Sequence, residues 1–285
     1  MLLVMSSATS KVTDVVPGVS AFQELSTFGK VRLVGFSLVV LAVLGFAAFV
    51  LGELFSLLVL GWTADVGAEL GIHRLHVMVI ATVILTTLLG VAVQLYRPKR
   101  QAAAMLGAFL SVVAAAAVQF TGEGSVGSVV PFLVMIGLAT LLHPAGRGLF
   151  RRGESYSPAM LALVIVAAIP MLAFAAAQVG LQINTNDAHA AAGHYTGMAQ
   201  LGLIPLVYGF LAAVGMRGWR IAAWIAALPV AYYGILAISF PAQAGAAGPM
   251  WGGAAVLWAG GFLAVSEYSR LESSPVLRRT VAGES

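Results

Sequence analysis

Apolar runs long enough to cross a bilayer recur along this chain from Leu33 almost to its end. A helix of about 20 residues crosses a hydrocarbon core about 30 Å thick, and each run has that length with few charges. Hydrophobic residues make up 60% of the chain and charged residues 9%, against about 25% charged in an average soluble domain. The sequence therefore predicts an all-α integral membrane protein that crosses the lipid bilayer several times.

Short connections rich in Gly, Pro and charge separate eight apolar segments. We place the transmembrane helices at residues 33–56, 75–95, 102–120, 126–143, 157–180, 193–214, 221–242 and 249–268. The apolar stretch "MLLVM" is too short for a signal peptide, so we interpret residues 1–29 as a cytosolic N-terminal leader. Residues 271–285 follow the last helix as a cytosolic C-terminal tail.

Basic residues set the orientation. With both termini in the cytosol, 14 of the 15 Lys and Arg lie on the cytoplasmic side and only Arg74 lies outside, as the positive-inside rule requires. Trp62, Tyr195 and Trp251 then fall at the outer interface, where aromatic belts occur. We expect a multi-pass plasma membrane protein. The basic excess needs no nucleic acid to explain it.

Two segments hint at an internal repeat. The stretches "RPKRQAAAMLGA" and "RGWRIAAWIAAL" share the pattern RxxRxAA, and each follows a helix that opens with a histidine. His73 lies 24 residues before Arg97, and His194 lies 23 residues before Arg217. This spacing predicts two four-helix halves, residues 30–148 and 149–270, related by duplication.

Four of the five histidines share one depth under this topology. His73 and His76 open the second helix and are three residues apart, so both imidazoles can point to one side. His189 and His194 stand at the outer mouth of the sixth helix. Neutral imidazole is a good ligand for haem iron, copper or zinc. The fifth histidine, His143, is interpreted as a cation at the C-terminus of the fourth helix.

Other polar groups lie near this depth. Glu53 is the only charge between Leu33 and Trp62, and an ionisable group within a membrane is a candidate functional residue. Met198 is four residues after His194, and a thioether suits copper. We assign the carboxylates of Asp65, Glu69 and Asp187 to the outer loops.

Two kinds of site follow from these residues. Haem b would take His73 or His76 and His194 on its opposite faces, with Arg74 near a propionate. Copper or zinc would take His73, His76, His189 and His194, together with Glu53 and, for copper, Met198. The histidines are also acceptable as ordinary interfacial polar residues.

Several other chemistries are excluded. The chain has no cysteine, which removes disulfides and thiolate sites. It contains no Walker loop, Rossmann fingerprint, HExxH motif or nucleophile elbow. No lysine lies in the second to eighth helices, so a retinal Schiff base is unavailable.

The stretch "AELGIHRLHVMV" resembles the start of the second helix in haem A synthases, a family of eight-helix proteins built from two four-helix halves. The family motif is Glu, two residues, His and Arg, and it matches Glu69, His73 and Arg74, although three residues separate Glu69 from His73 here. The resemblance implies haem b near the outer face, held by His73 or His76 and by His194. The family's ligands on helices 4 and 8 have no histidine counterpart in this chain.

The leading hypothesis is thus a membrane protein that binds haem b or a transition metal near its outer face, for electron transfer with a redox partner or for metal or haem handling. A proton- or substrate-coupled transporter is the first alternative. A non-enzymatic scaffold for other membrane subunits is the second. The scaffold would pack through small residues such as "WGGAAVLWAGG" in the last helix and would be sensitive to Gly253→Leu. Whether the protein is an enzyme stays open.

Overall fold

A computed structural model describes residues 26–63, 68–121, 126–151, 153 and 156–272. Within them no strand occurs, and the prediction of an all-α membrane protein is confirmed. The helices are α1 (Thr27–Leu60), α2 (Ala68–Ala92), α3 (Ala102–Thr121), α4 (Val130–Leu142), α5 (Pro158–Asn184), α6 (Ala188–Ala191), α7 (His194–Ala199), α8 (Ile204–Ala213), α9 (Trp219–Ser239) and α10 (Gly248–Glu272). Most of the leader and of the C-terminal tail, and Asp65, lie outside the described residues.

Seven segments are long and apolar enough to cross a membrane, with α7 and α8 counted as one. The eighth predicted span is the shorter helix α4, which follows a 3-10 turn at Val126–Ser128. One boundary matters for function: α2 begins at Ala68 and not at residue 75. Glu69 and His73 therefore lie within the helix, and the assignment of Glu69 to an outer loop is wrong.

The bundle has a centre and a periphery. Half or more of the residues are buried in the apolar windows of α2, α3, α7–α8 and α9, whereas fewer than a quarter are buried in those of α1, α5 and α10. The second and third spans of each predicted half thus form the centre. The peripheral helices present apolar side chains to the lipid, as a membrane protein requires.

The break between α7 and α8 lets neighbouring helices approach closely. Pro205 lies in the first turn of α8 and has no N–H to donate to the preceding turn. At Gly202 an added Cβ would collide with the Met171 carbonyl and the Ala175 side chain of α5, and at Gly197 it would collide with Ile80 of α2. Gly197 therefore seats α7 against α2, and Gly202 seats the turn between α7 and α8 against α5. These contacts place the N-terminus of α7 beside the start of α2.

The opposite end of the bundle, which we call the arginine end, holds Arg32, Arg97, Arg100, Arg217 and Arg220. The two turns of the predicted repeat meet there, since the N–H of Ala103 donates to the carbonyl of Arg217 at 2.8 Å. The guanidinium of Arg32 donates to the carbonyls of Leu141 and Leu142 at 3.2 and 3.1 Å. It is Arg32 that supplies the cation at the C-terminus of α4.

The interpretation of His143 as that cation is wrong. His143 is fully buried, and its Nδ1 accepts the N–H of Ala145 at 3.2 Å. Its Nε2 faces Oε1 of Gln94, also at 3.2 Å. A ring nitrogen that accepts carries no proton, so His143 is a neutral imidazole that donates through Nε2.

Of the glycines near the start of α10, only one makes a close crossing. An added Cβ at Gly252 would lie 2.7 Å from the carbonyl oxygen of Gly234 in α9, and one at Gly234 would lie 2.6 Å from that of Gly252. Around Gly253 there is open space. The close packing predicted for this segment therefore depends on Gly252, and Gly253 is not the sensitive position.

We expect Gly252→Leu to destabilise the protein by about 1–3 kcal/mol or more, because the side chain would have to separate α9 from α10. Thermal unfolding of the detergent-purified variant measures this change. The neighbouring Gly253→Leu is the matched control and should unfold close to the wild type. Equal losses in the two variants would contradict the assigned crossing.

Candidate histidine site

Four histidines from two distant parts of the sequence form one cluster at the end of the bundle opposite the arginine end. We call His73, His76, His189 and His194 the imidazole cluster. α2 carries the first two on one face, α6 carries His189, and His194 is the first residue of α7. Ring centroids lie 4.6 Å apart for His73–His189 and His76–His189, and 4.7 Å apart for His73–His194. His76 stacks on His194 at 5.6 Å.

His73 and His194 make the closest polar contact of the cluster. Their Nδ1 atoms are 3.1 Å apart. Two neutral imidazoles can approach this closely when one nitrogen donates a hydrogen bond and the other accepts it. Two nitrogens that both carry lone pairs can do so only when a cation lies between them. Because the two rings touch, a flat macrocycle does not fit between them in this arrangement.

His76 is the unusual member. It is fully buried, and neither of its ring nitrogens has a hydrogen-bond partner among the described residues. Gly245 has no side chain, and the space that its Cβ would occupy lies next to His76. The Nε2 atom of His76 is 3.1 Å from that Cβ position, and the amide oxygen of Gln178 is 3.3 Å from it. That oxygen also lacks a partner in the described part of the chain. Two buried polar groups therefore border one small space without satisfying each other.

His189 faces acceptors on both sides. Its Nε2 is 3.1 Å from the carbonyl oxygen of Ile72, and its Nδ1 is 3.5 Å from a carboxylate oxygen of Asp187. Only an imidazolium has a proton on each nitrogen to donate in both directions. A neutral His189 that donates through Nε2 to Ile72 instead leaves the lone pair of Nδ1 on the side of Asp187, which is the form in which an imidazole can bind a metal ion.

Asp187 and Tyr195 complete the cluster. Asp187 caps α6 by accepting the N–H of Ala190 at 2.8 Å, and it accepts the phenol proton of Tyr195 at 2.9 Å. The Ala190 N–H, then the Tyr195 hydroxyl and the nearby His189, hold the pKa of Asp187 below its ordinary value.

The sequence places Tyr195 in an aromatic belt, but the residue is buried and its ring contacts His76 and His189 at 5.4 and 5.8 Å. The belt assignment is therefore wrong for this residue. The local sequence contained a signal, since Tyr195 directly follows His194 and Asp187 lies two residues before His189.

The remaining predicted site residues lie apart from these contacts. Arg74 donates to the carbonyl of Thr63 at 3.1 Å, and its guanidinium lies 5.0 Å from the ring centre of Phe240. Met198 is fully buried in the hydrophobic core. Glu53 is exposed on α1, and its carboxylate makes no ion pair within the described part of the chain.

The cluster is not arranged as a finished coordination sphere. Among the residues that the structure describes, no three His, Asp or Glu side chains converge on one point as ligands of an ion. The His73–His194 pair is the nucleus around which such a site would have to form.

We expect Asp187→Asn to lower thermal stability at neutral pH, because Asn still caps α6 but removes the charge that His189 faces. A carboxylate with a depressed pKa stabilises the fold above its unfolded pKa of about 3.9. That stabilisation is lost as the pH falls through the lower pKa of the folded state. The gap between wild type and Asp187→Asn in thermal melts should therefore shrink toward pH 3.

The comparison variant, Tyr195→Phe, retains the carboxylate and the Ala190 N–H that lowers its pKa most, so it should retain a weaker form of the same pH dependence. A gap that is constant over this range would contradict the role given to Asp187.

Comparison of the chain with known protein families, with curated proteins and with solved structures found no match.

Proposed function

We propose that this chain is a plasma membrane protein that binds one copper or zinc ion at its outward face, for metal handling or membrane electron transfer. The observation that carries the proposal is the buried, unpartnered imidazole of His76 in contact with two further imidazoles. The arginine end is the cytoplasmic side under the positive-inside rule. Both termini are then cytoplasmic, and the imidazole cluster faces outward.

The geometry of the closest pair suits shared coordination. Nitrogens bound about 2.0–2.1 Å from a tetrahedral zinc ion lie about 3.3 Å from each other. The Nδ1 atoms of His73 and His194 are 3.1 Å apart. Small shifts of either ring would bring both lone pairs onto one ion.

Burial energetics favour a ligand in the cluster. A buried polar group without a partner costs about 1–3 kcal/mol, and such groups in native proteins commonly mark an ion or a water. Neutral imidazoles bind a metal without adding a negative charge near the lipid. His76 and His189, which touch the central pair, supply the further imidazole nitrogens, and Asp187 supplies a carboxylate that neutralises part of the ion's charge.

The donor set narrows the choice of metal. Imidazole nitrogen suits copper and zinc, whereas magnesium and calcium prefer oxygen ligands. Met198 packs in the core and Glu53 lies exposed on α1, so we leave both out of the ligand set.

Haem b remains the other cofactor predicted from the sequence. Haem b would require His73 and His194 to move apart. When an imidazole binds each face of the iron, the porphyrin ring lies between the two imidazoles. The resemblance to haem A synthases supports the same region of the protein as the site. The ring contact favours an ion over haem.

The test is metal binding by the detergent-purified protein, stripped with a chelator and titrated with Cu²⁺ or Zn²⁺. We expect one ion per chain, and a loss of affinity of at least about tenfold in His73→Ala and in His194→Ala, since even residues that only orient a ligand cost that much. His143→Gln changes the one histidine outside the cluster and should bind as the wild type does.

Two results would overturn the proposal. One is equal metal binding in all three variants. The other is an absence of binding in the wild type together with a Soret band on haem reconstitution that disappears in His194→Ala, which would assign the site to haem.

A further inference from the structure

A cavity of about 300 Å³ runs into the bundle from the imidazole cluster. Its walls come from α1, α2, α3, α4, α7 and the start of α8, and His194 is the member of the imidazole cluster that lines it. Along α2 the lining extends from Val77 to Leu88, which is about 16 Å at 1.5 Å per residue. The cavity is therefore long and narrow, with a titratable group at one end.

The end near His194 carries polar groups with unused hydrogen-bonding capacity. Gln119 and Gln200 both line it. The amide oxygen of Gln119 accepts the hydroxyl proton of Thr196 at 3.0 Å. The amide nitrogen of Gln119 has no partner among the described residues. His194 is engaged through Nδ1, which leaves Nε2 to face a ligand. Among the described residues, this end offers N–H donors and acceptors but no Asp, Glu, Lys or Arg.

The deep end is effectively apolar. Ile84, Val112 and Ile136 are among its aliphatic walls. Its two hydroxyls are already satisfied on their own helices, because Ser111 donates to the carbonyl of Gly107 at 2.7 Å and Thr87 donates to that of Val83 at 3.0 Å. A ligand would therefore place hydrocarbon here.

We propose that this cavity binds a quinone or hydroquinone, with its oxygen-bearing ring at His194, Gln119 and Gln200 and its tail in the deep end. The inference goes beyond metal binding, since the cavity and its amides do not require an ion. Quinone carbonyls accept from the amide N–H groups, and hydroquinone hydroxyls donate to the amide oxygens or to His194. None of the described residues that line the cavity is a Lys or an Arg. This lining disfavours a fatty acid, whose carboxylate would be buried unpaired.

The size and lining match the general pattern of small-molecule sites. Such sites are mostly apolar clefts of about 300–1,000 Å³ with a few placed polar groups. The ring would lie against His194, and therefore next to the His73–His194 pair.

The test uses a ubiquinone analogue with a decyl tail as the probe. Wild-type protein in detergent should retain about one equivalent after gel filtration, measured by extraction and absorbance. Ala115 lines the cavity on α3, so Ala115→Phe fills it and should weaken binding at least tenfold. Ala117 lies on the same helix but is exposed, so Ala117→Phe is the matched control and should bind as the wild type does.

A second variant removes polar groups without adding bulk. Gln119→Leu should weaken binding of the quinone analogue but leave binding of decanol, which has the tail without the ring, unchanged. This variant keeps the proposal testable if Ala115→Phe fails to fold, which thermal melting reveals.

Copper or zinc binding is measured in the same samples. Metal binding without quinone binding in the wild type overturns the quinone proposal alone, and quinone binding without metal overturns the metal proposal alone. Quinone binding that is unchanged in both Ala115→Phe and Gln119→Leu also overturns the cavity assignment. It would direct attention to the larger apolar groove of about 780 Å³ between α5, α9 and α10.

Discussion

The close seating of α7 against α2, and of the turn after α7 against α5, is the contact on which the site depends. Gly197 and Gly202 have no side chains, so Ile80 on one helix and the Met171 carbonyl and Ala175 on the other occupy the space that a Cβ would need. Without a hydrophobic driving force between helices in lipid, such small-residue contacts determine which helices pair. This seating brings His194 to His73, residues that are 121 apart in the chain, and it forms one wall of the cavity.

Two buried histidines at opposite ends of the bundle, His143 and His76, differ in whether their ring nitrogens have hydrogen-bond partners. His143 is buried, and both of its nitrogens are satisfied, by Gln94 and by Ala145. His76 is equally buried, but neither nitrogen has a partner in the described part of the chain. A chain with so few polar groups gains nothing from an unsatisfied imidazole unless something else binds it. His143 is therefore structural, whereas His76 keeps both ring nitrogens available to a ligand.

Sequence patterns were informative wherever they concerned depth along the membrane normal. The three-residue spacing of His73 and His76 predicted a shared face, and the topology predicted that His189 and His194 would lie at the same depth. The structure brings all four into ring contact. The depth of a residue in the membrane did not reveal, however, in which direction its side chain points. Arg74 lies between the two histidines in sequence but points to Thr63 and Phe240, and Met198 turns into the core.

The sequence by itself determined that this protein lies in a lipid bilayer. It also determined the number and approximate limits of the apolar segments and the depth of the histidines along the membrane normal. These properties follow from hydrophobic length and residue order, which are local. Only the tertiary structure decided which faces of the helices meet, because the rotation of each helix about its axis depends on packing with its neighbours. That rotation made Tyr195 and Asp187 members of the imidazole cluster, left His76 without a partner and opened a cavity beside His194.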